Sequence, residues 1–172
     1  MKKRLLLIAL AVVLSVTVCS ALADSIHPGW NQVANGKWAY YDENLIQLKD
    51  QWIQENGYWY YVDANGEMVK EWLLVGETWY YFDGNGIMQT GWVQDGGATY
   101  YMKSSGEMAI GWLQVDGQWR YFKKSGAMTV NDWVPDGRDW YYMKSDGSMA
   151  ANETVNVNGT DYKFAADGRW YP

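Results

Sequence analysis

Tryptophan, methionine and glycine recur along this chain of 172 residues with one shared period. The three series are Trp52, Trp72, Trp92, Trp112 and Trp133; Met68, Met88, Met108, Met128 and Met149; and Gly66, Gly86, Gly106, Gly126 and Gly147. Their successive spacings are 20, 20, 20 and 21 residues. Indole rings have electron-rich faces, and several of them around one space attract a cation, above all a quaternary ammonium group. The spacing therefore predicts a row of equivalent aromatic sites.

A second tryptophan follows the first by seven residues in four of these units. The pairs are Trp52/Trp59, Trp72/Trp79, Trp112/Trp119 and Trp133/Trp140. Each second tryptophan opens a triplet whose third residue is tyrosine, as in Trp59-Tyr60-Tyr61. Side chains alternate between the two faces of a strand, so the third residue shares a face with the tryptophan. We predict that this Trp/Tyr face lines the junctions between units.

The elements that must position these rings are predicted to be β-hairpins. In the unit from Gly111 to Val130, Asp116-Gly117 has the chemistry of a two-residue hairpin turn, and a second turn ends at Gly126. A hairpin of about 20 residues cannot bury a core alone, so neighbouring hairpins must stack. The sequence thus predicts an all-β solenoid of stacked β-hairpin repeats, with five full repeats and a degenerate unit at each end.

Two of the units carry a resemblance to a known family. GWLQVDGQWRYFKKSGAMTV and EWLLVGETWYYFDGNGIMQT resemble the choline-binding, or cell-wall-binding, repeats of Gram-positive surface proteins and their phages. The resemblance depends on Gly-Trp, Trp-Tyr-Tyr and Gly-x-Met recurring in register, and it extends from Trp30 to Trp170. It implies a left-handed superhelix with choline sites between consecutive repeats. Two tryptophans of one repeat and an aromatic residue of the next would form each cage, with a methionine closing it.

Carried onto this sequence, the resemblance implies three well-formed ligand sites. They are Trp52, Trp59 and Tyr81 with Met88; Trp72, Trp79 and Tyr101 with Met108; and Trp112, Trp119 and Tyr142 with Met149. The weaker candidates are Trp30, Trp38, Tyr61, Trp92, Tyr121, Trp133 and Trp140. Strand alternation alone selects the tyrosine of each site, so the adjacent tyrosine stays open as an alternative.

Three departures from the repeat set the weaker candidates apart. Thr99 stands where the second tryptophan of the Trp92 unit belongs, so that site loses a wall. Trp30 and Trp38 are eight residues apart instead of seven. Near the end of the array, Lys163 takes the third position of the triplet, where its charge would repel a cation. We expect the Trp92 junction and the terminal junction to be incomplete, and the completeness of the Trp30/Trp38 junction stays open.

The beginning of the chain is typical of a secretory signal peptide. A short basic start precedes an apolar run from Leu5 to Val18. Ala21-Leu22-Ala23 then has the small-residue pattern of a cleavage site. We predict cleavage after Ala23, which would leave no membrane span and would change the net charge from −6 to −9.

These signals divide the chain into three parts. Residues 1–23 are predicted to be the signal peptide, residues 24–29 a short N-terminal segment, and residues 30–172 the repeat array. The array is then secreted and associated with the cell surface. An uncleaved membrane anchor and lipidation at Cys19 are the alternatives. The short segment leaves no room for a catalytic domain between signal and array.

Composition excludes several other classes of protein. Aromatic residues make up 17% of the chain, which is too much for a disordered tail, and one cysteine cannot build a disulfide framework. The acidic balance, 20 Asp and Glu against 14 Lys and Arg, argues against nucleic-acid binding. Asp63 and Asp83 are typical turn formers, and the sequence places no partner beside His27. We therefore predict no catalytic residues, no metal site, no cofactor and no enzymatic activity.

The predicted function is that of a secreted, non-catalytic module that binds choline or phosphocholine on teichoic acids of the cell envelope. A separate cell-wall enzyme, or further copies of the chain in a homo-oligomer, would be additional partners. Two other functions stay open. One is a glucan- or carbohydrate-binding repeat protein, and the other is a structural spacer or adhesin stalk whose rings only pack.

Overall fold

The computed structural model describes residues 26–33 and 36–171 of the chain. The predicted signal peptide, residues 1–23, lies outside this part. The chain divides into two compact units, Met1–Val69 and Lys70–Pro172. Within the described residues the fold consists of strands and turns, with no α-helix.

Two antiparallel hairpins make up the first unit. One pairs β1 (Gly29–Gln32) with β2 (Trp38–Tyr41), and the other pairs β3 (Gln51–Glu55) with β4 (Tyr58–Val62). Asn56-Gly57 connects β3 to β4 with φ values of 52° and 83°, the left-handed conformation that a tight hairpin turn requires. This turn sets the register of the second hairpin.

Four hairpins and a terminal sheet make up the second unit. The hairpins pair β5 (Glu71–Val75) with β6 (Thr78–Phe82), β7 (Gly91–Asp95) with β8 (Ala98–Met102), β9 (Gly111–Val115) with β10 (Gln118–Phe122), and β11 (Asp132–Asp136) with β12 (Asp139–Met143). The terminal sheet has the order β13 (Thr154–Val157), β14 (Thr160–Phe164) and β15 (Trp170–Tyr171). Each sheet joins strands that are consecutive in the chain, as the turn signals predict.

The turn that follows each hairpin is built on a side-chain cap. Asp83 Oδ1 accepts hydrogen bonds from the backbone N–H groups of Asn85 and Ile87, both at 2.9 Å. Asp63 makes the same two bonds in the first unit, also at 2.9 Å. An aspartate that satisfies backbone donors two and four residues later stabilises a turn. The prediction that Asp63 and Asp83 form turns is confirmed.

One large apolar side chain per hairpin forms the core of the second unit. These residues end the second strand of each hairpin and are at most 2% exposed: Phe82, Met102, Phe122, Met143 and Phe164. They are the residues that immediately follow the aromatic triplets. Because they are fully buried, their apolar surface contributes to stability at about 25 cal/mol per Å². Burial of these side chains therefore contributes to holding the hairpins together.

The recurring methionines tie consecutive hairpins together. The backbone N–H of Met108 donates to the carbonyl oxygen of Trp79 in the preceding hairpin at 2.9 Å. The Met108 side chain covers the next turn at Gly126, whose φ is 83° and where a Cβ atom would collide with Met108 Sδ. Glycine is needed there for its backbone conformation and for the space that it leaves. This contact explains why methionine and glycine share one period.

The predicted all-β class of repeated hairpins is confirmed. The hairpins recur at the spacing of the tryptophans, and each unit of the structure contains more than one of them. Among the described residues, none forms a helix that is long and apolar enough to cross a membrane.

Candidate functional site

An open notch lies beside Trp72 in the second unit. The Trp72 notch is lined by Trp72, Trp79, Tyr100 and Met108 and has a volume of about 330 Å³. The ring centroids of Trp72 and Trp79 are 6.4 Å apart at an interplanar angle of 83°, and those of Trp72 and Tyr100 are 4.7 Å apart at 63°. Trp79 is 41% exposed, so it forms an outer wall that solvent reaches. Three aromatic faces thus meet around a space that is open to a ligand.

A second notch repeats this construction two hairpins later. The Trp112 notch is lined by Trp112, Trp119, Tyr141 and Met149 and has a volume of about 350 Å³. The centroids of Trp112 and Trp119 are 6.5 Å apart at 85°, and those of Trp112 and Tyr141 are 5.1 Å apart at 72°. Trp119 is 45% exposed. The two notches therefore agree closely in ring geometry.

The hairpin register explains why the two tryptophans meet. Trp72 lies opposite Tyr81, and Leu74 lies opposite Trp79. Residues two apart on a strand share a face, so Trp79 and Tyr81 both reach Trp72 on the same side of the hairpin. Tyr81 packs beneath Trp72 with centroids 4.9 Å apart. Burial, followed by nearby carboxylates of which Asp95 is the first, raises the pKa of Tyr81.

The tyrosine that forms the third wall of each notch precedes the predicted tyrosine by one residue. Tyr100, and not Tyr101, closes the Trp72 notch, and Tyr141, and not Tyr142, closes the Trp112 notch. The third-position tyrosine faces the first tryptophan of its own hairpin, as Tyr101 does with Trp92 at 4.9 Å. The next hairpin meets the preceding one with its opposite face, where the middle residue of the triplet points. The structure therefore places Tyr100 and Tyr141, the adjacent tyrosines that the sequence left open, at the notches in place of Tyr101 and Tyr142.

The remaining third-position tyrosines follow the same rule. Tyr142 packs on Trp133 with centroids 5.2 Å apart, and Tyr121 packs on Trp112 at the same distance. Tyr142 is 7% exposed. These tyrosines therefore support the first tryptophan of their own hairpin and do not line the two notches.

Carboxylates line both notches, and sequence analysis did not single them out. Asp95 Oδ2 accepts a hydrogen bond from Trp72 Nε1 at 2.9 Å, which fixes the orientation of the indole ring. Asp136 holds the equivalent strand position at the Trp112 notch, and Asp167 lines that notch as well. Burial first, and then the carboxylates of Asp139, Asp136 and Asp167, raise the pKa of Tyr141. The notches thus combine π-faces with negative charge, which suits a cation.

The first unit contains the predicted tryptophan pair of its second hairpin. Trp52 and Trp59 have centroids 6.2 Å apart at 88°, close to the values in the two notches. Tyr61 packs on Trp52 at 5.2 Å, so it is an internal support like Tyr142. Tyr81 and Met88, the other members predicted for this site, belong to the second unit. Met88 there covers Gly106, as Met108 covers Gly126.

The first hairpin accommodates its extra residue in the connection between strands. Trp30 lies opposite Tyr40 and Gln32 lies opposite Trp38, so the diagonal relation of the two tryptophans is kept. Tyr60, a middle residue, packs on Trp30 with centroids 5.2 Å apart. The spacing of eight residues therefore lengthens the loop and leaves the register unchanged. The Trp30 and Trp38 hairpin therefore keeps the register of the other hairpins.

Two later junctions depart from the open notches. At the junction after Trp92, the guanidinium of Arg120 lies over the Trp92 ring, with Cζ 5.0 Å from the ring centroid. At the end of the array, Tyr162 packs on Trp133 at 4.9 Å, and Trp170 lies 6.0 Å from Trp133. Trp170 follows a turn glycine by two residues, which is the position of methionine in the other repeats.

At that terminal junction Tyr162, and not Lys163, is the residue of the triplet that packs on Trp133. Lys163 is exposed and lies in β14 beside Tyr162, the residue that faces Trp133. The middle residue of the triplet, and not the third, thus faces the preceding hairpin at this junction. Trp140 is 45% exposed on the outer side of its hairpin.

A metal centre finds no support in the part of the chain that the structure covers. Residues 26–33 and 36–171 contain no group of three or more His, Cys, Asp or Glu side chains placed to hold a metal ion. His27 Nδ1 lies 2.9 Å from the carbonyl oxygen of Pro28.

Family models match most of the array. The model of the choline-binding repeat matches residues 28–72, 52–90, 69–111 and 90–133. A model of cell wall binding repeats matches residues 131–149. No curated protein matches the chain.

Solved structures of pneumococcal proteins are similar to the chain. CbpJ from Streptococcus pneumoniae TIGR4 is 35% identical with a TM-score of 0.73, and the match covers 84% of this chain and 48% of CbpJ. Choline binding protein F of Streptococcus pneumoniae, solved in the presence of a peptidoglycan analogue, is 37% identical with a TM-score of 0.75, over 86% of this chain and 48% of that protein. The same protein in complex with ipratropium gives 36% identity and a TM-score of 0.74, over 86% and 50%. The chain thus spans about half the length of these structures.

Proposed function

The chain belongs to the family of choline-binding repeats, and we propose that its Trp72 and Trp112 notches bind choline groups on the polymers of a Gram-positive cell wall. The observation that carries this proposal is the repetition of one cage. In both notches two indoles stand nearly perpendicular, a middle tyrosine and a methionine complete the walls, and a carboxylate lies beside the rings.

The chemistry of the notches suits a trimethylammonium group. Each aromatic face attracts a cation by about 0.5–2 kcal/mol, and a quaternary ammonium has no N–H donors that would need hydrogen-bond partners. Three faces together support millimolar affinity for a single notch once the cost of association is included. The methionine side chain adds an adaptable apolar surface to the cage.

Several weak notches on one chain suit a polymer that carries many choline groups. Binding at one notch raises the effective concentration of choline at the next, so the array gains affinity by avidity. Teichoic acids bearing phosphocholine are the proposed polymer. Their phosphates are repelled by the acidic chain, so the rings must supply the attraction.

The proposed setting is outside the cell. Residues 1–23 direct secretion in this proposal, and residues 30–172 act as a non-catalytic anchor on the wall. Choline-binding repeats are binding modules, and any cleavage of the wall would come from another catalytic domain or protein. The protein would then act by occupying choline on the surface or by holding a partner there.

A choline titration of purified protein tests the proposal. Tryptophan emission and calorimetry should both report saturable binding at millimolar choline. Trp79→Ala and Trp119→Ala should each weaken binding at one notch by about tenfold or more, because each removes an outer ring. Tyr58→Ala is the matched control, since it removes an exposed aromatic side chain at the start of β4, outside the notches.

The outcome also separates the alternative ligands. Retention on a quaternary-amine resin with elution by choline supports the proposal. Retention on dextran without retention on the amine resin would show a carbohydrate-binding protein instead. If both tryptophan variants bound choline as the wild type does, the notches would not be the binding sites.

A further inference from the structure

One junction of the second unit has lost two cage residues together. We name it the Arg120 junction, and it consists of Trp92, Thr99, Arg120 and Met128. These residues hold the positions of Trp72, Trp79, Tyr100 and Met108 in the Trp72 notch. The backbone connection is the same, because the N–H of Met128 donates to the carbonyl oxygen of Thr99 at 2.7 Å. Only the side chains differ.

The guanidinium of Arg120 fills the space in front of the remaining indole. Arg120 Cζ lies 5.0 Å from the centroid of the Trp92 ring, within the range of a cation–π interaction. Arg120 Nη1 lies 3.9 Å from Met128 Sδ, so the guanidinium also touches the methionine of the junction. The Arg120 guanidinium therefore lies next to Trp92 and Met128, which correspond to an aromatic wall and to the methionine of the open notches.

Arg120 is also anchored to the following hairpin. Its Nη1 donates to the carbonyl oxygen of Asp146 at 2.7 Å. Gly147, the next residue, leaves the space for this contact, since a Cβ atom there would lie 3.2 Å from Arg120 Nη1. Arg120 Nε is buried and has no hydrogen-bond partner among the described residues. The side chain thus links Trp92, its own hairpin and the turn after the β11–β12 hairpin.

We propose that Arg120 is an internal cation that replaces the ligand at this junction, so that the Arg120 junction is closed and ordered without choline. The inference rests on the proposed function of the open notches. Thr99 fits this role, because with no second indole the remaining site offers only the Trp92 face, and Arg120 covers that face. The junction then acts as a permanent clamp between hairpins, while the notches on either side respond to ligand.

Restoring the repeat residues should convert the clamp into a binding site. The double variant Thr99→Trp/Arg120→Tyr recreates the side chains of the Trp72 notch. We expect calorimetry with choline to give one more site per chain than the wild type. The single variant Thr99→Trp keeps the internal cation and should add no site.

A second variant tests the clamp in the absence of choline. Arg120→Met keeps the length and apolar character of the side chain and removes the charge, and Arg120→Lys keeps the charge. We expect the melting temperature of Arg120→Met to fall by about 2–4 °C, with a smaller fall for Arg120→Lys. Wild-type stability in Arg120→Met would overturn the clamp, whether or not the double variant folds.

The failure of this inference can be told from failure of the proposed function. If Trp79→Ala and Trp119→Ala each remove a site while the double variant adds none, the notches bind choline and the role of Arg120 is wrong. If neither tryptophan variant loses a site, the proposed function itself is wrong. The inference is supported when the double variant gains a site and Arg120→Met loses stability.

Discussion

The Trp72 and Trp112 notches have the same rings and different charges. The distance between the two indoles is 6.4 Å in one and 6.5 Å in the other, and the angles differ by only two degrees. The Trp72 notch is lined by one carboxylate, Asp95, and by Ser125. The Trp112 notch is lined by Asp136 and Asp167. The second carboxylate is therefore the main difference between them.

The origin of this difference lies in the turns. Ser125 and Asp167 occupy the same position, immediately before a turn glycine. A turn accepts either residue, because both side chains can bond to nearby backbone donors. The rings, by contrast, are fixed by the hairpin register and by the methionine contact. The repeat thus determines how the rings are arranged, and the residue before the turn glycine determines the charge beside them.

The largest difference in choline affinity between the two notches should come from removing the tyrosine that forms the third wall of one of them. Tyr141→Ala removes one of three aromatic faces from the Trp112 notch and should lower its choline affinity about fivefold, with the Trp72 notch unchanged. Tyr142→Ala is the matched control. Tyr142 is buried against Trp133, so its loss should lower the melting temperature and leave the choline affinity of the Trp112 notch close to that of the wild type.

A titration of both variants, with thermal unfolding of each, distinguishes wall tyrosines from supporting tyrosines. An affinity loss in Tyr142→Ala larger than that in Tyr141→Ala would show that the third residue of the triplet closes the cage after all.

Exchanging the residues before the turn glycines should change choline affinity by a smaller factor, and in opposite directions at the two notches. Asp167→Ser should lower affinity at the Trp112 notch about twofold, and Ser125→Asp should raise it at the Trp72 notch by a similar factor. Asp167 also pairs with Arg169 at 2.8 Å, so its removal leaves an unpaired cation near the notch. Calorimetry with choline at low salt measures both changes.

Salt provides the control for that exchange. At about 1 M NaCl the charges are screened within about 3 Å, so the variants should bind as the wild type does. A difference that persists at high salt would mean that the exchange altered the cage itself.

The smallest effect is expected from the supporting tyrosine of the first unit. Tyr61 O–H donates to Asp50 Oδ1 at 2.7 Å, and burial, followed by this hydrogen bond, raises the pKa of Tyr61 to about 12. Because the folded pKa exceeds the ordinary value of 10, the stabilisation is complete below pH 10 and is lost as the pH rises towards 12. Urea unfolding between pH 9 and about 12 should show a shallower loss in Tyr61→Phe than in the wild type. Equal slopes would contradict a supporting role for Tyr61.

Sequence periodicity was sufficient to predict the hairpins and the tryptophan pairs. Asn56-Gly57 and Asp116-Gly117 determine their turns locally, so no knowledge of distant contacts was needed. The pairing of Trp72 with Trp79 follows from that register. Both features depend on residues within one hairpin.

The third walls could not be predicted in the same way. Tyr100 and Tyr101 have the same chemistry, and which of them enters the notch depends on the face that one hairpin turns towards another. The face that packs is determined by tertiary contacts, and the alternation of residues along a single strand does not reveal it. One signal was available, since Arg120 and Thr99 depart from the repeat together, as residues that meet in space would.

A crystal structure of the protein grown with choline tests the central claim most directly. The account predicts a trimethylammonium group between Trp72 and Trp79 and another between Trp112 and Trp119, with Arg120 still lying over Trp92. Notches that contain only solvent at saturating choline, or a choline molecule that displaces Arg120 while the two notches stay empty, would contradict it.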